Sequence, residues 1–150
     1  MEIRTIKIYT DGSCLGNPGK GGWAYCIIEN KFEIYGHGFI ENTTNNRMEL
    51  MAIISALNFI KKMNANIEIF TDSMYVKNGI ELWVKNWKKN GWKSSGNKPI
   101  KNDKLWIDLD SLVEDRKKYG KIDFFHVKAH SGIYYNEMVD HLARTGEIMR

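Results

Sequence analysis

Two short segments of the chain end in the same way. The first reads I-K-I-Y-T-D and ends at Asp11, and the second reads I-E-I-F-T-D and ends at Asp72. Apolar residues alternate with polar ones in both, which is the period of a β-strand. The likeness covers a single strand, so it indicates two similar strand ends and not a duplicated domain.

Between these two strands the hydrophobic period changes to that of a helix. Residues 43–46 offer capping side chains, so a long helix is expected to begin near Asn46. A strand, a helix and a second strand in this order favour parallel strands joined by a helical crossover. The apolar residues that recur at helical spacing are Leu50, Ile53, Ile54, Leu57 and Ile60.

The rest of the chain predicts an α/β protein in which three strands are followed by strands that alternate with helices. Strands are expected from Ile3 to about Phe39, with the glycine-rich stretch 12–22 as the first turn. This order implies a mixed sheet, in which an antiparallel meander joins parallel strands. No linker is visible, so residues 1–150 are expected to form one domain. The later segments are a helix from Ser73 through Trp92, a loop through Gly96 and Pro99, a helix over 102–118, a strand over 121–127 and a last helix over 136–148.

Composition excludes several classes of protein. No apolar stretch approaches the roughly 18 residues that a membrane helix needs, and the N-terminus does not read as a signal peptide, so a cytoplasmic protein is expected. Cys14 and Cys26 are too few for a disulfide framework, and we expect free thiols. The net charge of +4 favours a polyanionic partner.

Four acidic residues are expected at one end of the sheet. Asp11 and Asp72 each end a strand, and if the strands are neighbours in register their carboxylates lie on one face. Glu49, in the first turn of the long helix, and Asp140, in the first turns of the last helix, can point to the same place. Carboxylates so close together repel one another and imply a bound cation.

Each acid taken alone also fits a purely structural role. Asp11 begins a common turn pair with Gly12, and residues 46–49 fit a capping box. Asp72 and Ser73 can cap the following helix, and Asp140 is favourable near a helix N-terminus. Only their joint placement favours a metal site.

Longer motifs resemble type 1 ribonuclease H of the bacterial kind. They are T-D-G-S-C-L-G-N-P-G (10–19), T-T-N-N-R-M-E-L (43–50), T-D-S (71–73), W-x3-W-K-K-x-G-W-K (83–93), K-x-H-S-G (128–132) and N-E-x2-D (136–140). The resemblance implies a ribonuclease H-like fold, with a five-stranded mixed sheet in the order 3-2-1-4-5 flanked by helices. It also implies an endoribonuclease that hydrolyses the RNA strand of RNA/DNA hybrids by two-metal-ion catalysis and leaves 5′-phosphate and 3′-hydroxyl ends.

The same resemblance implies the roles of the acids. Asp11 would bridge two Mg²⁺ ions that bind with the substrate, with Mn²⁺ as an alternative metal. Asp72 and Asp140 would serve the ion that activates water, and Glu49 the ion at the leaving group, where it would also accept a hydrogen bond from a ribose 2′-hydroxyl. His130 would aid proton transfer or product departure. The other histidines, His37, His126 and His141, are expected to be structural.

Substrate contacts also follow from the resemblance. A segment from Leu82 to Lys101 carries three tryptophans and six lysines and no acidic residue, which is typical of a surface that binds a phosphate backbone. In the family it forms a basic handle on the DNA strand; the alternative is a packed helix with solvated lysines. The implied contacts are Gly12, Ser13, Asn17 and Asn45 on the RNA side, Asn46 and Met74 in the minor groove, Thr44 and Asn102 at a DNA phosphate, and Trp83, Trp87, Lys88, Lys89 and Trp92 in the handle.

Two residues depart from the family pattern. Asn42 stands where relatives often carry arginine near the DNA phosphate, and Ala129 replaces the glycine usual before the loop histidine. Two rivals remain at this point: another nuclease of the same fold, such as a reverse-transcriptase domain, resolvase or transposase, and a non-catalytic hybrid-binding module. The start at Met1 favours a freestanding monomer without a separate hybrid-binding domain, and the presence of all four acids favours an enzyme.

Overall fold

The computed structural model describes residues 4–149 and contains one five-stranded sheet in the order β3-β2-β1-β4-β5. The β1/β2 and β2/β3 pairs are antiparallel, and the β1/β4 and β4/β5 pairs are parallel. The expected fold and strand order are therefore confirmed. The strands are β1 (Thr5–Gly16), β2 (Gly19–Glu29), β3 (Phe32–Thr43), β4 (Asn66–Thr71) and β5 (Ile122–His126).

Helices cover both faces of the sheet. Helix α1 packs on one face, over a core that includes Ile8, Ile53 and Ile69, and α4 packs against α1. Helix α5 packs on the other face against Ala24 and Cys26. The helices are α1 (Asn45–Phe59), α2 (Met74–Asn78), α3 (Val84–Lys89), α4 (Asp103–Arg116) and α5 (Tyr134–Thr145), with a π-helical turn over Gly79–Trp83 between α2 and α3.

The two similar strands are direct neighbours. Ile6 pairs with Ile67 and each following residue pairs with its counterpart as far as Thr10 and Thr71. The apolar side chains of both strands therefore share the face that α1 covers, which is why the two segments have the same pattern.

The first turn was predicted wrongly. β1 continues past Asp11 to Gly16, and residues 12–16 pair with β2, so only Asn17 and Pro18 form the turn. Pairing with β2 satisfies the backbone groups of this glycine-rich stretch and outweighs the low strand propensity of glycine.

Other boundaries differ by a few residues. The helix predicted through Trp92 ends at Lys89, because Gly91 and Trp92 have positive φ values of 65° and 63°. The last helix ends at Thr145, where Gly146 supplies a left-handed cap. Cys14 and Cys26 are free thiols, as expected. None of the helices within residues 4–149 is long and apolar enough to cross a membrane.

Candidate active site

Asp11 and Asp72 lie immediately beyond the last residue pair of the central parallel strands. That pair is Thr10 and Thr71, so the strand register brings the two aspartates side by side. Carboxylate oxygens of Asp11, Asp72 and Glu49 all lie within 4.8 Å of one another. The expected meeting of these three acids is therefore observed, although Asp11 lies inside β1 and not at its end.

Glu49 reaches the aspartates from α1. Its side chain is only 3% exposed, and the backbone N–H of Gly12 donates a hydrogen bond to Glu49 Oε1 and another to Asp11 Oδ1 at 2.9 Å. A Cβ atom on Gly12 would lie 2.4 Å from the backbone nitrogen of Glu49, so only glycine permits this approach of strand and helix.

The position of Glu49 in α1 also tests the alternative that residues 46–49 form a capping box. The helix begins at Asn45, which puts Glu49 just beyond the first turn and not within it. The cap is Thr44, whose hydroxyl accepts a hydrogen bond from the N–H of Arg47. The capping box over 46–49 is therefore wrong, and the Glu49 carboxylate points to β1 instead.

Asp140 adds a fourth carboxylate from α5. It lines the same cleft, of about 460 Å³, as the other three acids, and its Oδ2 is 3.3 Å from Arg144 Nε one helical turn later. Asp140 also lies within 4.8 Å of ligand atoms of His130 and Glu137. It thus connects the buried acids with the exposed loop that carries His130.

Crowding and burial change the acidity of the site. Burial raises the pKa of Asp11 well above its usual range, and the charges of Glu49, Asp72 and Asp140 raise it further. Burial also raises the pKa of Glu49 to about 7, although hydrogen bonds from its neighbours oppose the change. The pKa of Asp72 is raised too, chiefly by burial. A nearby positive charge would lower the pKa values of all three carboxyl groups.

One oxygen in this cluster has no hydrogen-bond partner. Glu49 Oε2 is fully buried, and no donor within residues 4–149 reaches it. A buried carboxylate oxygen without a donor is costly unless a cation accepts its charge. The site therefore fits hard divalent cations, which prefer oxygen ligands.

His130 and His126 are both exposed. His130 is exposed in the β5–α5 loop, in a left-handed conformation with φ of 54°. His126, expected to be structural, is exposed at the end of β5, and its charge acts to lower the pKa of Asp72. His126 pairs with Thr71 across β5 and β4, one residue before Asp72, which the sequence around His126 does not indicate.

The expected substrate residues lie in several parts of the structure. Five of them line the same cleft as the acids, whereas Asn17 lies in the β1–β2 turn. Thr44 and Asn102 lie at the N-caps of α1 and α4. The cleft also contains Tyr75, which the sequence analysis did not identify. The five are Gly12, Ser13, Asn45, Asn46 and Met74.

The tryptophans of the basic handle are half-buried, and Trp87 and Trp92 pack against the core. The ring of Trp87 lies 5.8 Å from Trp83 and 5.3 Å from the buried Trp106, and Trp92 packs beside it at 6.4 Å. Packing therefore accounts for much of their burial, as the alternative of a packed helix requires.

The lysines of the handle differ from one another. Lys88 Nζ lies 3.1 Å from Asp110 of α4 and forms an ion pair. Lys85 and Lys89 are exposed. These two lysines are freer than Lys88 to contact a phosphate backbone.

Comparison with known proteins places the chain among nucleases. A model of the RNase H family matches residues 4–148. The chain is 48% identical to the ribonuclease H of Ehrlichia ruminantium (strain Gardel), over 96% of this chain and 95% of that protein. It is 49% identical to the ribonuclease H of Wolbachia sp. subsp. Drosophila simulans (strain wRi), over 96% of both.

A solved structure agrees with these matches. LC9-RNase H1, a type 1 RNase H with the type 2 active-site motif, superimposes with a TM-score of 0.82 at 30% identity. The match covers 97% of this chain and 73% of that one.

Proposed function

The chain belongs to the ribonuclease H family of endonucleases, which cut the RNA strand of RNA/DNA hybrids, and on this premise we propose that it does so with two Mg²⁺ ions held by Asp11, Glu49, Asp72 and Asp140. Its products would be RNA fragments with 5′-phosphate and 3′-hydroxyl ends. Mn²⁺ is the alternative metal.

The observation that carries this proposal is the crowding of carboxylates around a buried, unpartnered oxygen of Glu49. The ligand set contains only oxygen atoms, which suits Mg²⁺ and not zinc. When bound, the ions supply the positive charge that stabilises the attacking and leaving oxygens of a phosphoryl transfer.

The protein's own residues prepare the site for that charge. Asp11, between Glu49 and Asp72, is the ligand proposed to be shared by both ions. Asp72 and Asp140 would bind the ion that activates the attacking water. Glu49 would bind the ion at the leaving group. The Gly12 N–H donates to both Glu49 and Asp11 and so helps to hold the two carboxylates in position.

His130 is proposed to move protons at the water side of the cleft. It lies within reach of Asp140 on an exposed loop, where it can exchange protons with solvent. Its loop contains Ala129, which also lines the cleft.

Substrate selection is proposed to depend on polar side chains at the cleft's edge. Ser13, Asn45 and Asn46 can hydrogen-bond ribose hydroxyls and base edges in a minor groove, which distinguishes RNA from DNA. The DNA strand would lie along the exposed lysines of the handle. A single domain acting as a monomer in the cytoplasm remains a prediction.

The test is cleavage of a labelled RNA/DNA hybrid in Mg²⁺, beside duplex RNA and duplex DNA. Asp11→Asn should lower kcat about a thousandfold or more while hybrid affinity changes little, because the carboxylate acts on the reaction and not on the nucleic-acid backbone. Asp123→Asn, which removes an exposed carboxylate from β5, is the matched control.

Substantial Mg²⁺-dependent turnover by the Asp11→Asn protein would contradict the metal assignment. Hybrid binding without cleavage by the parent protein would instead favour the non-catalytic binding module. End analysis of the products by ligation and phosphatase treatment tests the proposed 5′-phosphate.

A further inference from the structure

Three aromatic side chains, Tyr9, Phe70 and Phe125, form an aromatic row across the face of the sheet on which α5 lies. They are register partners on β1, β4 and β5, so they project from the same face. The ring centroids are 4.7 Å apart between Tyr9 and Phe70 and 5.2 Å apart between Phe70 and Phe125, and both pairs are stacked. The row therefore runs from the middle of the sheet to its edge strand β5.

The aromatic row is covered at one end and open at the other. Tyr9 packs against Tyr135 of α5 at 5.6 Å, whereas Phe125 is 40% exposed although it lies inside a strand. Helix α5 packs on β1 and β2, and strands lie about 4.8 Å apart, so the line between β4 and β5 is about 10 Å from the line between β1 and β2. Two helices pack side by side at about 8 to 10 Å, so the open end has room for one more helix beside α5.

A pair of carboxylates lies beside the aromatic row. Glu68 and Asp123 are register partners on β4 and β5, two residues before the row, and so project from the same face. Like charges directly opposite one another repel. Within residues 4–149 neither carboxylate lies within ion-pair distance of a basic side chain, Lys7 on β1 included. An added positive charge over β4 and β5 would therefore be favourable.

The charge and the ring geometry together select the kind of occupant. The rings lie nearly parallel, at 14° and 21°, so they cover most of one another's faces and leave few faces on which nucleic-acid bases can stack. The carboxylates of Glu68 and Asp123 would also repel phosphates. Ring edges beside unpaired carboxylates instead match aliphatic side chains beside lysine or arginine, which is the pattern of a basic amphipathic helix.

We propose that the aromatic row and the Glu68–Asp123 pair form a docking surface for a basic amphipathic helix of another protein. The helix would lie beside α5, with its apolar side chains on the row and a lysine or arginine near the two carboxylates. Tyr134, which is 54% exposed and packs on Tyr135 at 5.1 Å, would form the wall of this surface at the start of α5. The inference goes beyond hybrid cleavage and does not depend on it.

The test presents the intact chain with synthetic probes of that chemistry. A helical peptide of about 18 residues carries leucines on one face and lysines on the other, and a matched peptide carries glutamates in place of the lysines. Dissociation constants are measured by fluorescence anisotropy. The lysine peptide should bind at least about tenfold more tightly than the glutamate peptide. It should also shift the amide NMR signals of residues 66–71 and 122–126, which form β4 and β5.

Substitutions separate the apolar contact from the charge. Phe125→Ser should weaken binding of the lysine peptide about tenfold or more. Phe32→Ser, which removes a 75% exposed phenylalanine at the start of β3, is the matched control and should not weaken it. Glu68→Lys combined with Asp123→Lys leaves the aromatic row intact and should reverse the preference, so that the glutamate peptide binds more tightly.

Three results would overturn the inference. Equal binding of the two peptides by the parent would remove the role of the carboxylates. An unchanged peptide preference in the charge-reversed protein, at a melting temperature near that of the parent, would show that Glu68 and Asp123 do not select the occupant. A parent that sediments as a dimer, and that Phe125→Ser makes monomeric, would assign the aromatic row to a second copy of this chain.

Discussion

Removing the charge of Glu49 should stabilise the metal-free protein. The carboxyl is 3% exposed and its pKa rises from 4.5 to about 7 on folding. Between these values the folded state binds more protons at Glu49 than the unfolded state, so the contribution of Glu49 to stability falls as pH rises from 4.5 to 7 and is constant above. The loss at pH 8 is at most about 3 kcal/mol.

Glu49→Gln should recover most of that free energy. Glutamine keeps an oxygen that can accept from the Gly12 N–H, and its amide can donate toward Asp11 where Glu49 Oε2 now lacks a partner. At pH 8 in EDTA we expect the variant to melt several degrees above the parent, about 2 to 4 °C for each kcal/mol. The difference should shrink to a fraction of a kcal/mol as the pH falls to 4.5, because the parent's carboxyl is then protonated in the folded state and half protonated in the unfolded state.

Thermal melts of both proteins over pH 4.5 to 8.5, with EDTA and with Mg²⁺, test this expected difference in melting temperature. Mg²⁺ should raise the melting temperature of the parent more than that of Glu49→Gln, because it binds the native acids. Glu147→Gln, at an exposed position in the C-terminal segment, is the control and should leave the pH profile unchanged. A Glu49→Gln protein no more stable than the parent at pH 8 would refute the idea that the buried charge opposes folding.

Three other outcomes follow from the structure. His130→Ala should lower kcat by about 10² and far less than Asp11→Asn, because water can partly replace a proton carrier; equal losses in the two kinetic assays would contradict this. Lys89→Gln should flatten the salt dependence of hybrid binding more than Lys88→Gln, since Lys88 is paired with Asp110; the reverse order in a salt titration would place the DNA on the other side of the helix. Arg116→Lys should cost about 3 kcal/mol in urea unfolding, because the buried guanidinium donates to several backbone carbonyls, among them that of Ala65 at 2.8 Å, and a loss below 1 kcal/mol would show that water replaces it.

The convergence of the acids could be predicted because it depends on local pattern. The shared alternation before Asp11 and Asp72 indicates both strands, and a crossover helix makes them parallel. Register then brings the two carboxylates together. The end of β1 could not be predicted in this way, because pairing with β2 extends the strand through residues that look like a turn.

Contacts between distant segments could not be read from the sequence. Arg116 lies in the charged run E-D-R-K-K and looks like a solvated residue, yet it is buried because the carbonyls at the end of α1 surround it. Likewise, nothing near Arg47 indicates Asn102, and nothing near Trp87 shows that Trp106 covers it. Such partners are set by how helices pack, which periodicity alone does not specify.

Two glycines determine how close the acid-bearing helices come to the sheet. A Cβ atom on Gly12 would meet the backbone of α1 at Glu49, and one on Gly22 would lie 2.1 Å from the carbonyl oxygen of Ala143 in α5. Gly12 therefore sets the depth of Glu49, and Gly22 sets the depth of the helix that carries Asp140 one turn before Ala143. Neither glycine has a positive φ, so space and not backbone conformation requires them. The four carboxylates line one cleft because two strands are in register and because two helices can touch the sheet without a side chain between them.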